Sequence, residues 1–252
     1  MSKKKYIAFV GDSFCASYSD VAKNDINQRF QKQTPYSYTT TVANHYGYEV
    51  LPYGFSGKSW WYSWYKFEQD CLGELNQIEA IVFCHTNCER INSTTHDYLP
   101  QMCGNNFPNY SKELNQASES YFKYIEDPAF NNWAQQQYFK MLAEKYSNIK
   151  TIHLHCFDGT DKWSNLLPGV VFTTTLSQVS IGEITGSEQE IIQSFTDNRA
   201  NHLNKHNNKS LAKVIINALD NYTPGQYKLP LEIFEQPNHN AKNWPDGIFW
   251  TK

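Results

Sequence analysis

Apolar positions along the chain gather into short runs that end in glycine or in polar loops, and each run is followed by a longer stretch with helical spacing. Tyr6 to Val10 ends at Gly11, Glu49 to Tyr53 at Gly54, Ala80 to Cys84 in a polar stretch, and Thr151 to His155 before Asp158 and Gly159. A fifth run covers Val170 to Thr174. The spacing predicts helices over Tyr36 to Tyr46, Ser59 to Leu75, Pro128 to Tyr146 and Lys209 to Leu219. In the last of these Ser210, Leu211, Val214, Ile215 and Leu219 share a face that should pack on the sheet. Strands alternating with helices are the signature of an α/β domain built on a parallel sheet. From His85 to about Tyr110 there is no clear period. With Pro100, Gly104 and Pro108 it reads as a long loop or cap inserted after the third strand, spanning about 85–125 with its flanks. The segment 222–252 carries four prolines together with Phe234, Trp244, Phe249 and Trp250, and reads as an extension packed on a domain of residues 1–221.

Composition narrows the possibilities. A hydrophobic fraction of 40% with 15% aromatic and 19% charged residues excludes a disordered chain. The net charge of -3 supplies no basic field for nucleic acid or an anionic membrane. The only dense basic run, Lys3 to Lys5, leads into an apolar stretch too short for a signal peptide or a membrane span, so the expected location is the cytoplasm. Six cysteines show no paired spacing and are expected to be reduced and partly buried. Asn and Gln together number 39, so the surface is polar through amides more than through charges.

The chemistry concentrates where strands end. Gly11-Asp12-Ser13 follows the first run, and a serine there lies at the carboxyl edge of the sheet, where open α/β folds place their sites. Taken alone, the tripeptide is more often an Asp or Ser helix cap. Gly54-Phe55-Ser56-Gly57-Lys58-Ser59 follows the second run, His85-Thr86-Asn87 ends the third, and Asp197 to Asn204, with His202, precedes the last helix.

In that order these segments resemble the four blocks of the SGNH (GDSL-type) hydrolase superfamily, over about residues 6–220. The resemblance implies a three-layer α/β/α sandwich with a mainly parallel five-stranded sheet in flavodoxin-like order. It implies Ser13 as nucleophile, His202 as base, and Gly57 and Asn87 with the Ser13 amide as oxyanion hole. The His202-x-Asn204 pattern and the asparagine richness are similar to phage-encoded members. Two departures stand out. The third block keeps only its asparagine, and Arg199 occupies the position of the family's acid. A guanidinium cannot accept the imidazole proton, which leaves Asp197 as stand-in or a Ser-His dyad.

The implied activity is hydrolysis, through an acyl-enzyme and without cofactor, of a small acyl ester such as acetyl on a carbohydrate or similar polar molecule. The other reading is a retired binding or structural module on the same fold. Asp12, His85, Trp60, Trp61 and Arg199 are the candidate substrate contacts. Trp60 to Tyr65 offers an aromatic platform, or else Trp61, Trp64, Tyr65 and Glu68 form a buried helix face. His153 and His155 share a strand face, but no third metal ligand sits at a diagnostic spacing. Cys15 and Cys88 are expected to pack. Arg90 would pair with a carboxylate or phosphate of a substrate, or form a structural ion pair.

Overall fold

The computed structural model describes residues 4–16, 37–55, 58–71, 75–88, 90, 111–180 and 203–235. Gly57, Asp197, Arg199 and His202 lie outside the described residues, as do 91–110 of the expected insertion and 236–252 of the extension.

Among the described residues six strands form one sheet: β1 (Tyr6–Gly11), β2 (Glu49–Gly54), β3 (Ile78–His85), β4 (Lys150–His155), β5 (Val170–Thr175) and β6 (Gly225–Tyr227). They run in the order β2-β1-β3-β4-β5-β6, and every neighbouring pair is parallel. The first five are the strands expected from the apolar runs. The sixth is a three-residue edge added by the extension, held by Gly225 N–H donating to the Gly169 carbonyl at 2.9 Å.

Because side chains alternate across a strand, successive residues feed two separate cores. Ile7, Phe9, Val82, Cys84, Ile152 and Leu154 face one side, with α1 (Tyr38–Tyr46) packed there. Ala8, Val10, Leu51, Tyr53, Ile81 and Phe83 face the other, against α2 (Trp60–Cys71). Helix α3 (Lys112–Tyr124) buries no residue, whereas α4 (Pro128–Lys145) joins the α2 side through Tyr138, Phe139 and Leu142. The final helix α5 (Lys205–Asp220) buries all five residues of its expected face and joins the α1 side. The sheet is thus covered on both faces, which explains why its strands read as continuous apolar runs. Leu229 and Phe234, in the described part of the extension, are buried on the α1 and α5 side. No helix among the described residues is long and apolar enough to cross a membrane.

Local signals set the helix ends. Ser37 caps α1 by accepting from Thr39 N–H at 3.3 Å, and Gly47 closes it with φ of +67°. Asp127 caps α4 with Pro128 at its first turn, and Asn204 caps α5 by accepting from Asn207 N–H at 2.8 Å. Helix α3 lies within the stretch expected to be a loop or cap. Ser111 caps it, accepting from Leu114 N–H at 3.2 Å, so a local start signal for the helix existed in the sequence.

The aromatic helix differs from the expected phase. Its buried face is Trp60, Tyr62, Ser63, Phe67 and Cys71, with Trp61 and Trp64 partly buried and Tyr65 39% exposed. Five aromatics within six positions leave the helical phase unspecified, and packing on Tyr53, Phe83 and Tyr138 selects it.

At the carboxyl edge of the sheet, Gly11 pairs with Gly54 on one side and Cys84 on the other. A Cβ on Gly54 would stand 2.5 Å from the Cys15 carbonyl carbon and oxygen and 2.6 Å from Ala16 N, all backbone atoms. Gly54→Ala is therefore expected to displace the Ser13 to Cys15 turn and to lower stability by about 1–3 kcal/mol. A shift of the urea midpoint checks it, and an unchanged midpoint would show that the turn yields freely.

Candidate active site at the carboxyl edge of the sheet

The exit of the interior strand β1 is a tight, internally bonded turn. Asp12 is fully buried, and its Oδ1 accepts from Phe14 N–H at 2.9 Å and from the Cys156 thiol at 3.2 Å. The 3-10 turn Ser13–Cys15 follows, with Cys15 N–H donating to Asp12 O at 3.2 Å and Ala16 N–H to Ser13 O at 3.3 Å. Asp12 thus acts as cap and leaves Ser13, 9% exposed, at the head of the turn. The Gly11 carbonyl accepts from Phe55 N–H at 3.0 Å and from the Ser63 hydroxyl, which ties the turn to the exit of β2 and to α2.

The neighbouring exits meet the same turn. Lys58, just past the β2 loop, is buried, and its ammonium lies 4.9 Å from the centre of the Tyr62 ring. Asn87, two residues beyond β3, is half-buried. Arg90 Nη1 lies 3.6 Å from Asp12 Oδ2 and donates to the Lys58 carbonyl at 3.0 Å. Of the two options open for Arg90, the structure takes the structural ion pair.

Three thiols lie beneath the turn. Cys15, Cys84 and Cys156 are buried and unpaired, and the Tyr38 hydroxyl lies 3.1 Å from the Cys84 sulfur. Burial, chiefly, pushes the Cys15 and Cys156 thiols well above the ordinary range, so both keep their protons and Cys156 can donate to Asp12. Cys15 packs as expected, while Cys88 is half-buried.

His85 does not contact a cleft. It is the last residue of β3, 2% exposed, and it faces the α4 side of the sheet. Its Nε2 is 2.9 Å from His153 Nδ1, and its ring stacks on His153 with centroids 5.2 Å apart. His155 extends this row and pairs through Nε2 with the Ser164 hydroxyl at 2.8 Å. Burial, then the neighbouring rings, hold His85 well below its ordinary value. Burial, reinforced by His155 and opposed by the Pro168 backbone, lowers His153 to about 3. Burial, opposed by the Thr160 backbone, lowers His155 to about 4. The three are neutral core histidines, and His85 leaves the set of candidate substrate contacts. Among the described residues no group of three or more His, Cys, Asp or Glu is placed to hold a metal ion.

Of the other candidates, Asp12 is enclosed by Phe14, Cys156 and Arg90 and so serves the turn rather than a ligand. Trp60 is 4% exposed and stacked on Tyr138 at 4.1 Å, a core position. Trp61 is partly buried beside it, with ring centroids 3.8 Å apart. Leu203, the chain neighbour of His202, is buried in the same cluster as Phe14, Cys15 and Cys156. The two supports that sequence reasoning missed are Ser63 and Cys156. Both reach the turn across 50 residues or more of chain, and no local spacing signals that.

No protein-family model and no curated protein matches the chain by sequence. Among solved structures, a carbohydrate esterase with divergent catalytic and non-catalytic binding functions is similar at 12% identity and a TM-score of 0.42, covering 88% of this chain and 66% of that one. The inhibitor-bound aryl esterase of M. smegmatis is similar at 12% identity and a TM-score of 0.44, covering 87% and 100%. A Corynascus thermopiles carbohydrate esterase family 2 enzyme with its carbohydrate-binding domain is similar at 14% and 0.39, covering 88% and 67%.

Proposed function

We propose that this protein is a serine esterase of the SGNH type that removes a small acyl group, such as acetyl, from a neutral polyhydroxyl molecule. The observation that carries the reading is the placement of Ser13 at the head of a capped turn after the interior strand β1, with Asn87 at the exit of the adjacent strand. His202 as the third member rests on the likeness of its segment to the family's last block.

In this mechanism His202 takes the proton of the Ser13 hydroxyl as the oxygen attacks the ester carbonyl. The carbonyl becomes tetrahedral, and its oxyanion receives hydrogen bonds from the Ser13 and Gly57 amides and the Asn87 side chain. His202 returns the proton to the leaving alcohol, and water activated by the same imidazole releases the acyl group. Asp197 or a backbone carbonyl orients His202.

The test is turnover of acetyl and butyryl aryl esters together with covalent labelling by a fluorophosphonate. A protein that does neither sinks the reading. Asn87→Ala is expected to lower kcat by about 10² to 10³ with little change in KM, because the donor acts on charge formed in the transition state. Arg199 in place of the family's acid favours the second reading, a carbohydrate-binding module without catalysis. Glycan binding that is equal in wild type and Ser13→Ala, with no hydrolysis in either, would support that alternative.

A further inference from the structure

We propose that Arg90 is the positioning residue of this site, holding the Ser13 turn and the loop after β2 at a fixed separation. Its catalytic consequence rests on the esterase reading, whereas its placement rests on geometry alone.

Arg90 follows β3, and its side chain is only 10% exposed. Its Nη1 lies 3.6 Å from Asp12 Oδ2 and donates to the Lys58 carbonyl at 3.0 Å, and its guanidinium carbon stands 5.5 Å from the centre of the Phe157 ring. Asp12 belongs to the exit of β1, Lys58 to that of β2 and Phe157 to that of β4. One cation therefore links the loops after four adjacent strands, β2-β1-β3-β4, at the edge where the candidate nucleophile stands. Phe157 also packs edge-on against Phe14, the residue after Ser13, at 5.6 Å.

The chemistry suits arginine. Asp12 is wholly buried, and Oδ1 is occupied by Phe14 N–H and the Cys156 thiol. Oδ2 accepts no hydrogen bond among the described residues, so Arg90 supplies its compensating charge. A buried carboxylate without a cation is costly. One nitrogen, Nη1, donates to the Lys58 carbonyl and stands as a charge beside Asp12 Oδ2, while the flat guanidinium lies over the Phe157 ring, a stacked contact that a lysine ammonium does not reproduce. Without the guanidinium, the buried Asp12 carboxylate has no compensating charge at Oδ2, and its displacement re-aims the Ser13 amide and hydroxyl. Misplacement by about 1 Å costs roughly 10² in rate.

The experiment compares wild type, Arg90→Gln and Arg90→Lys by kcat and KM on an aryl acetate, by fluorophosphonate labelling at Ser13, and by amide hydrogen exchange. Arg90→Gln is expected to lower kcat and the labelling rate about 10²-fold with KM changed less than about threefold. It should also speed exchange of the Phe14 and Ala16 amides about tenfold while the β1 and β3 amides keep their protection. Arg90→Lys, which keeps charge without the fork, is expected to fall between, and it carries the same readouts if the glutamine variant does not fold. Wild-type kcat in Arg90→Gln, or exchange that rises equally across the whole sheet, overturns the proposal. A wild-type protein that neither hydrolyses nor labels sinks the esterase reading alone. The exchange comparison then decides the placement, and unchanged Phe14 and Ala16 rates overturn it.

Discussion

Ser13→Ala is expected to remove ester hydrolysis, with kcat/KM falling by at least about 10³ and by as much as 10⁶ if the full machinery operates in the wild type. No other group can replace the hydroxyl as acyl acceptor, so the residue of activity would be that of bound water polarised by the oxyanion donors. The fold should be unaffected. The turn is held by backbone bonds from Cys15 and Ala16 and by Asp12 capping Phe14, none of which uses the Ser13 side chain. The thermal midpoint is therefore expected to stay within the small range of surface substitutions, and the fluorophosphonate adduct should vanish from the mass spectrum. Hydrolysis that persists at the wild-type rate in Ser13→Ala would place the chemistry elsewhere. Hydrolysis lost together with the fold would contradict the account of what holds the turn.

Acid is expected to destabilise the protein steeply between about pH 6.5 and pH 4, because of the buried row His85, His153 and His155. In the unfolded chain each imidazole titrates near 6.5, whereas in the folded state His155 is lowered to about 4, His153 to about 3 and His85 well below 6.5. Between those values the unfolded state binds more protons than the folded one, so stability rises with pH and is lost as pH falls. Above about 6.5 all three are neutral in both states, and the row adds no pH dependence. Within the window each histidine contributes a slope of up to about 1.4 kcal/mol per pH unit, so His153 and His155 together account for roughly 6 kcal/mol by pH 4, a large share of a typical domain's stability.

Urea midpoints measured from pH 8 to pH 4 read this directly, with an expected uptake of more than one proton on unfolding near pH 5. His153→Phe provides the control. The ring of His153 lies nearly parallel to those of Phe83 and His85, at 5.2 Å from each, so phenylalanine conserves the stack but leaves His85 Nε2 without its partner. It is expected to cost about 1–3 kcal/mol at pH 8 and to flatten the slope below pH 6.5. A pH profile with the same slope in both proteins would show that protonation of the row does not govern acid stability.

How much of this was legible in the chain follows from the range over which each signal acts. Five strands and four helices were readable because burial on two faces makes strands continuous and burial on one stripe makes helices periodic. In α5, Ser210, Leu211, Val214, Ile215 and Leu219 define one phase only. In α2 the aromatics of residues 60–65 fit more than one phase, and the structure turns Tyr65 out to solvent. Helix α3 falls inside the stretch read as a loop or cap, although Leu114, Ala117, Tyr121 and Phe122 recur along it at helical spacing. His85 was misread as a cleft residue because its sequence neighbours are a strand end and a loop. Which face a strand's last side chain takes depends on the pleat, and its partners lie on β4.

The sequence by itself determined the α/β architecture, the order of the motif segments and the identity of the candidate nucleophile, since each depends on residues close together in the chain. Only the tertiary structure decided what surrounds that nucleophile. Arg90, Cys156 and Ser63 reach the turn from three other elements, and the histidine row forms only when β3 and β4 pair. Hydrophobic period is a local property that burial imprints on every turn or pleat. A contact between a guanidinium and a carboxylate 78 residues away leaves no periodic trace, because it is specified by the crossing of chains and not by spacing along one.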